Sequence, residues 1–142
     1  MANWVEGNIC IKGDYERLKI FLINGLKLEG NGSKTLDEDA KILRVYGATS
    51  ETVLLIDDTY HFVPWQGDDI EIIESTEGAK CSVVMEMMVK WEIRAVELLD
   101  VAKKYQLDIR ATGVNLDDEE HQDIIIKDGK IVKDEKFSLD DF

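Results

Sequence analysis

Proline is nearly absent from this chain: Pro64 is the single one in 142 residues. No Pro- or Ser-rich linker divides it, so residues 1–142 read as one domain. Cysteine is scarce too. Cys10 and Cys81 both fall in apolar, strand-like runs, which fits reduced, semi-buried thiols. Two Cys and two His do not sit at the spacing of a zinc site. No apolar run approaches the ~18 residues that a membrane-spanning helix needs. The first residues lack the basic flank and apolar stretch of a signal peptide. The expectation is a cytoplasmic protein with no membrane partner.

Phosphate-cradling motifs are also missing, with no Gly-x-Gly-x-x-Gly and no Gly-Lys-Ser/Thr. Positive charge is in deficit: 17 Lys and Arg face 30 Asp and Glu, a net charge of −13. Such a chain repels a polyanion. The most apolar segment, residues 81–89, also has no aromatic side chain on which a base could stack. Direct nucleic-acid binding is therefore not expected.

What the chain does have is a core's worth of apolar residues, 44% of the total, patterned at two periods. Ile9 and Ile11 alternate with Asn8, Cys10 and Lys12, the signature of a strand over 4–12. Asp14 then offers an N-cap to a helix carrying Tyr15, Leu18, Phe21 and Leu22, which ends near Asn24-Gly25. Residues 29–40 read as an exposed loop. Residues 42–46 and 52–56 read as a hairpin, and 70–74 as an edge strand. Residues 81–89 read as a central strand covered on both sides. Ile93, Val96, Leu99, Ala102 and Tyr105 step along one helix stripe, widened by Leu98. A strand over 107–114 follows. A hairpin then turns on Asp128-Gly129, and a tail from residue 133 is expected to fray.

This order predicts an α+β fold of ferredoxin-like, split β-α-β-β-α-β type, with 42–56 as an inserted hairpin and 124–132 as a C-terminal hairpin extension. Asn3-Trp4, Gly7-Asn8-Ile9 and Lys12-Gly13 at one end carry a resemblance. So do Lys90-Trp91, Leu98-Leu99 and Ala102-Lys103-Lys104-Tyr105 at the other. The chain resembles the Api92-like (YubB) ferredoxin-domain proteins of bacteriophages and other mobile elements. The resemblance implies that fold and a phage or prophage origin, and it brings no catalytic residue with it.

No residue qualifies as catalytic, cofactor-binding or metal-ligating. His61 and His121 have no nucleophile at a recognisable spacing, and the acidic run before Asp123 lacks the spacing of a calcium loop. Trp4 and Trp91 are expected to pack at sheet–helix junctions. The remaining clue is where the charge lies. Residues 51–79 hold eight acidic residues and no Lys or Arg, a net −8. Residues 117–142 carry −6, and everything else +1. Asp57, Asp58, Asp68, Asp69, Glu71 and Glu74 in the first block, with Asp117, Asp118, Glu119 and Glu120 in the second, form a candidate acidic interaction surface. Tyr60, Phe62 and Trp65 form a candidate aromatic patch. The reading is a non-catalytic accessory protein of a phage or prophage whose acidic surface binds a basic host protein, in the extreme as a nucleic-acid mimic that inhibits a defence protein. Two alternatives stand beside it: a soluble accessory domain with no specific acidic site, and a carboxylate- or metal-dependent enzyme. Oligomeric state is open.

Overall fold

The alternation at the start of the chain is realised as an eleven-residue strand, β1 (Trp4–Asp14), whose odd-numbered side chains Val5, Ile9 and Ile11 are buried. The computed structural model describes residues 3–64, 69–75, 78, 80–138 and 140. Strands β9 (Lys80–Lys90) and β10 (Asp108–Asn115) flank β1, both antiparallel to it. Register places Val5 beside Val89 and Asn115, Ile9 beside Met85 and Ala111, and Ile11 beside Val83 and Ile109. These side chains therefore share one face, because successive residues of a strand point to opposite sides. Helix α2 (Ala95–Tyr105) carries the chain from β9 over to β10 and packs Leu98, Val101 and Ala102 on that face.

Two further strands continue the sheet beyond β10. Strands β11 (Glu120–Lys127) and β12 (Lys130–Ser138) form a hairpin in which Asp128 and Gly129 have φ of 54° and 72°. Both turn residues are left-handed, as a two-residue turn matched to strand twist requires. Gly129→Ala should cost about 1 kcal/mol, read as a lower urea midpoint at unchanged slope.

On the other side, β9 is followed by β6 (Phe62–Pro64), β5 (Val53–Ile56) and β2 (Leu26–Glu29), while β8 (Ile73–Glu74) pairs with its first residues. A second sheet of β3 (Ser33–Asp37), β4 (Ile42–Tyr46) and β7 (Ile70–Glu71) lies apart. Helix α1 (Tyr15–Ile20) is short and passes into a π-helical turn over Phe21–Gly25. The ammonium of Lys34 closes that turn, donating to the carbonyls of Leu22 at 2.5 Å, Ile23 at 2.9 Å and Leu26. Burial pulls its pKa down to about 8.

The architecture is thus mainly antiparallel β, with twelve strands and two short α-helices among the described residues. It is not the ferredoxin-like split βαβ fold expected from the sequence. The difference arises in the middle of the chain. The expected loop at 29–40 supplies β3, after β2 has already joined the main sheet. The expected 42–56 hairpin does not form, because β4 and β5 enter different sheets. The 70–74 segment splits between both sheets. Residues beyond 133 continue β12 as far as Ser138 rather than fraying.

Two further expectations change. The run at 81–89 is covered on one side only: Cys81, Val83, Met85, Met87 and Val89 are buried, whereas Val84 is 55% exposed. On the second face Val84 is open and Met88, beside Phe62, is half-buried. The buried row of α2 is Ala95, Leu98, Val101 and Ala102, and Val96 is exposed. A strict three-residue step drifts around a helix of 3.6 residues per turn, so Val96 leaves the stripe.

Candidate functional site

Among the described residues, Glu74 of the first acidic segment lies far from the acidic turn of the second. Glu74 pairs with Cys81 at the start of β9. The acidic turn 117–120 follows Asn115, whose partner Val5 lies beside Val89 at the other end. Eight residues of strand separate Cys81 from Val89, roughly 26 Å. Four described carboxylates of the first segment are also committed to cations. Asp57 is buried at the β5–β6 turn and accepts from Lys104 at 3.1 and 3.2 Å and from the Tyr105 hydroxyl at 3.4 Å. Asp58 pairs with Lys27 at 2.5 Å, which holds its carboxyl below the usual range. Asp69 pairs with Arg44 at 3.0 Å and Glu74 with Lys41. Glu71 is exposed on β7. Asp68 and Trp65 lie outside the described residues.

The second acidic segment keeps different company. The even-numbered residues of β1 face the side of the sheet without helices, and Trp4 is among them. Its ring meets Phe62 edge-on, with centroids 6.2 Å apart, and the Lys90 amine lies 5.5 Å from its centre. Phe62 pairs with Met88, and Tyr60, two residues earlier, is 67% exposed. Trp91, 53% exposed, donates its backbone N–H to the Asn3 carbonyl at 2.7 Å. Leu116, 72% exposed, leads from Asn115 straight into Asp117, Asp118, Glu119 and Glu120. Apolar rings and carboxylates therefore share one end of the main sheet. Glu120 pairs with Lys136 at 3.1 Å, and Asp118 is held by the amides of Asn3 and Asn115. Asp117 and Glu119 have no ion-pair partner among the described residues.

Buried polar side chains hold this end rigid. Trp91 has φ 72°, a conformation costly for a bulky residue. The segment after it is tied down on each side. Asn115 donates to the Trp91 carbonyl at 3.2 Å. The Gln122 amide accepts from Ile93 N–H at 2.7 Å and donates to the Ile93 carbonyl at 3.2 Å. His61, with no exposed surface, accepts from Arg94 N–H through Nε2 at 3.1 Å. That bond leaves the ring proton on Nδ1, which donates to Thr59 Oγ1 at 3.1 Å. The Thr59 hydroxyl passes its own proton to the Ile56 carbonyl at 2.6 Å. Burial, with Arg94 nearby, pushes the His61 pKa down to about 4. His61 is therefore a neutral structural link between the β5–β6 turn and the entry of α2.

Trp4 and Trp91 were expected in the core and are instead at this surface. The parity of β1 carries the signal for Trp4, since it shares the face of Asn8 and Lys12 rather than that of Ile9 and Ile11. Leu116 likewise shares the parity of Arg110 and Thr112, the open side of β10. Nothing in the local sequence marks the left-handed turn at Trp91. His121 stacks edge-on with Phe137 at 4.7 Å. Cys10 faces the open side and Cys81 the core. Among the described residues, no three His, Cys, Asp or Glu side chains gather as a metal-binding group. No helix among them is long and apolar enough to cross a membrane.

Compared with protein-family models, with curated protein sequences and with solved structures, the chain matches none.

Proposed function

We propose that the chain is a non-catalytic binding module that engages a basic segment of another protein through the aromatic and acidic end of its main sheet. The observation that carries this reading is the convergence of Trp4, Phe62 and Trp91 with the 117–120 carboxylates on one rigidly held end. Exposed aromatic side chains supply large contact area at low conformational cost, and a rim of unpaired carboxylates steers a cationic partner and selects its register. Asp57 and its neighbours, already neutralised within the fold, are left out of this surface. The origin implied by the family resemblance makes a host protein of a phage or prophage the partner expected.

Affinity capture from bacterial lysate tests it, with the wild-type chain compared against Trp91→Ala and an Asp117→Lys/Glu119→Lys double variant. A basic protein retained at ~0.05 M salt, released at ~0.5 M and lost from both variants is expected, since a central aromatic anchor contributes ~2 kcal/mol or more. Retention of the same proteins by wild type and variants would refute the reading.

A further inference from the structure

The opposite end of the sheet carries the reverse charge. Lys12, Arg17, Lys80, Lys103, Arg110 and Lys127 surround two adjoining clefts of about 400 and 470 Å3, which share Lys12, Lys80 and Asp108. One opens beneath the C-terminal end of α2, where Ala102 and Leu107 form an apolar floor. The other lies on the open face, over Ile125. Asp14, Asp108 and Asp128 are the acidic residues of the pair. The corner therefore carries a net +3 within a chain of −13.

Pairing makes the contrast sharper. Most cations of this protein have found a partner: a carboxylate for eleven of them, backbone carbonyls for Lys34 and the Trp4 ring for Lys90. Among the described residues, Lys12, Lys103, Lys127 and Lys130 have none. The first three line the clefts, and Lys130 is the cross-strand partner of Lys127. In a chain with 30 carboxylates, four unpartnered lysines at a single corner are an arrangement that folding does not require. Lys127 opposite Lys130 even opposes folding, because like charges directly across a hairpin repel. Asp108 meanwhile is occupied, pairing with Lys80 at 3.7 Å and accepting the Asp128 N–H at 3.1 Å. Asp14 pairs with Arg17 at 3.5 Å.

We propose that the open-face cleft at this corner is a binding site for the phosphate group of a small molecule, with Lys12 and Lys127 as its cationic contacts. Two free ammonium groups, with Lys80 and Arg110 on the same cleft, offer a compact anion charge-assisted hydrogen bonds, and Ile125 beneath them lowers the local dielectric in which they act. The site is independent of the aromatic end, and either can be lost without the other.

Titration of the full chain with inorganic pyrophosphate, followed by calorimetry and by amide NMR shifts at ~0.1 M NaCl, tests it. One saturable site is expected, with shifts centred on residues 10–12, 108–110 and 125–127. Lys12→Glu and Lys127→Glu should each weaken it about tenfold or more. Lys127→Glu should hold or raise the urea midpoint, because it replaces a repulsive pair with an attractive one. Lys90→Gln, at the far end, should bind as wild type does. The proposal falls if there is no saturation by ~20 mM, a far weaker site than charge-assisted bonds from Lys12 and Lys127 would make. It falls equally if sodium chloride at matched ionic strength gives the same shifts, or if both Glu variants bind like wild type.

Discussion

Gly7→Ala is expected to destabilise this protein by about 3 kcal/mol or more. A Cβ at position 7 would stand 1.8 Å from the Thr112 carbonyl oxygen and 2.6 Å from the Gly113 Cα. The obstacle is backbone on the neighbouring strand, so no side chain can rotate out of the way. Gly7 pairs with Gly113, and a Cβ at Gly113 would in turn meet Val5 Cγ1 at 2.6 Å. Strands β1 and β10 approach through this glycine pair, and the methyl group would prise apart the centre of the main sheet. Gly78→Ala is the contrasting change: its Cβ would meet nothing within 4 Å, and an effect within about 0.5 kcal/mol is expected. Urea unfolding of the two variants checks the pair, and equal midpoints would overturn the argument.

Acid should destabilise the fold through His61. Its folded pKa of about 4 lies below the ~6.5 of an exposed histidine, so between these values the unfolded chain binds the proton and the folded chain does not. Stability therefore falls as pH drops from about 6.5 towards 4, and the full difference is on the order of 3 kcal/mol. The structural reason is the Nε2 acceptor bond from Arg94 N–H. Protonation would turn that acceptor into a donor facing a donor, on a ring with no exposed surface. Carboxylates such as Asp123, whose pKa is lowered by Arg110 and Lys133 despite burial, also lose stabilisation in acid. Comparison with a His61→Gln variant isolates the histidine. The variant should be less stable at pH 7 and flatter between pH 6.5 and 4.5, and a parallel slope in both proteins would refute the assignment. Because His61 ties the β5–β6 turn to the entry of α2, the loss should be felt at the aromatic end as well.

These effects concern residues whose importance the sequence conceals. His61 reads as an isolated loop histidine and is wholly buried. Gly7 appears in the sequence only as part of the opening Gly7-Asn8-Ile9, and in the fold a Cβ there would collide with the backbone of the neighbouring strand. The candidate acidic surface shows the same limit. Counting charges located the excess correctly, but Asp57 and Asp58 are answered by Lys27 and Lys104, and Asp69 by Arg44, cations from distant parts of the chain. Ion pairing across such separations follows from topology, and no local pattern reports it.

What could be read directly were the elements with long local signals. Strands β1, β9 and β10, helix α2 and the Asp128-Gly129 hairpin each rest on repeated periodicity or a dedicated turn. Those determined one core face and most of its residues. Strands β2, β5 and β6 have three or four residues each, too few for alternation to show which face is buried or which neighbour will pair. Their entry into the main sheet, and that of β3, β4 and β7 into a second one, rests on pairing with strands distant in the chain. Strand pairing is non-local, and it alone placed the aromatic residues beside one acidic segment and the unpartnered lysines at the opposite corner.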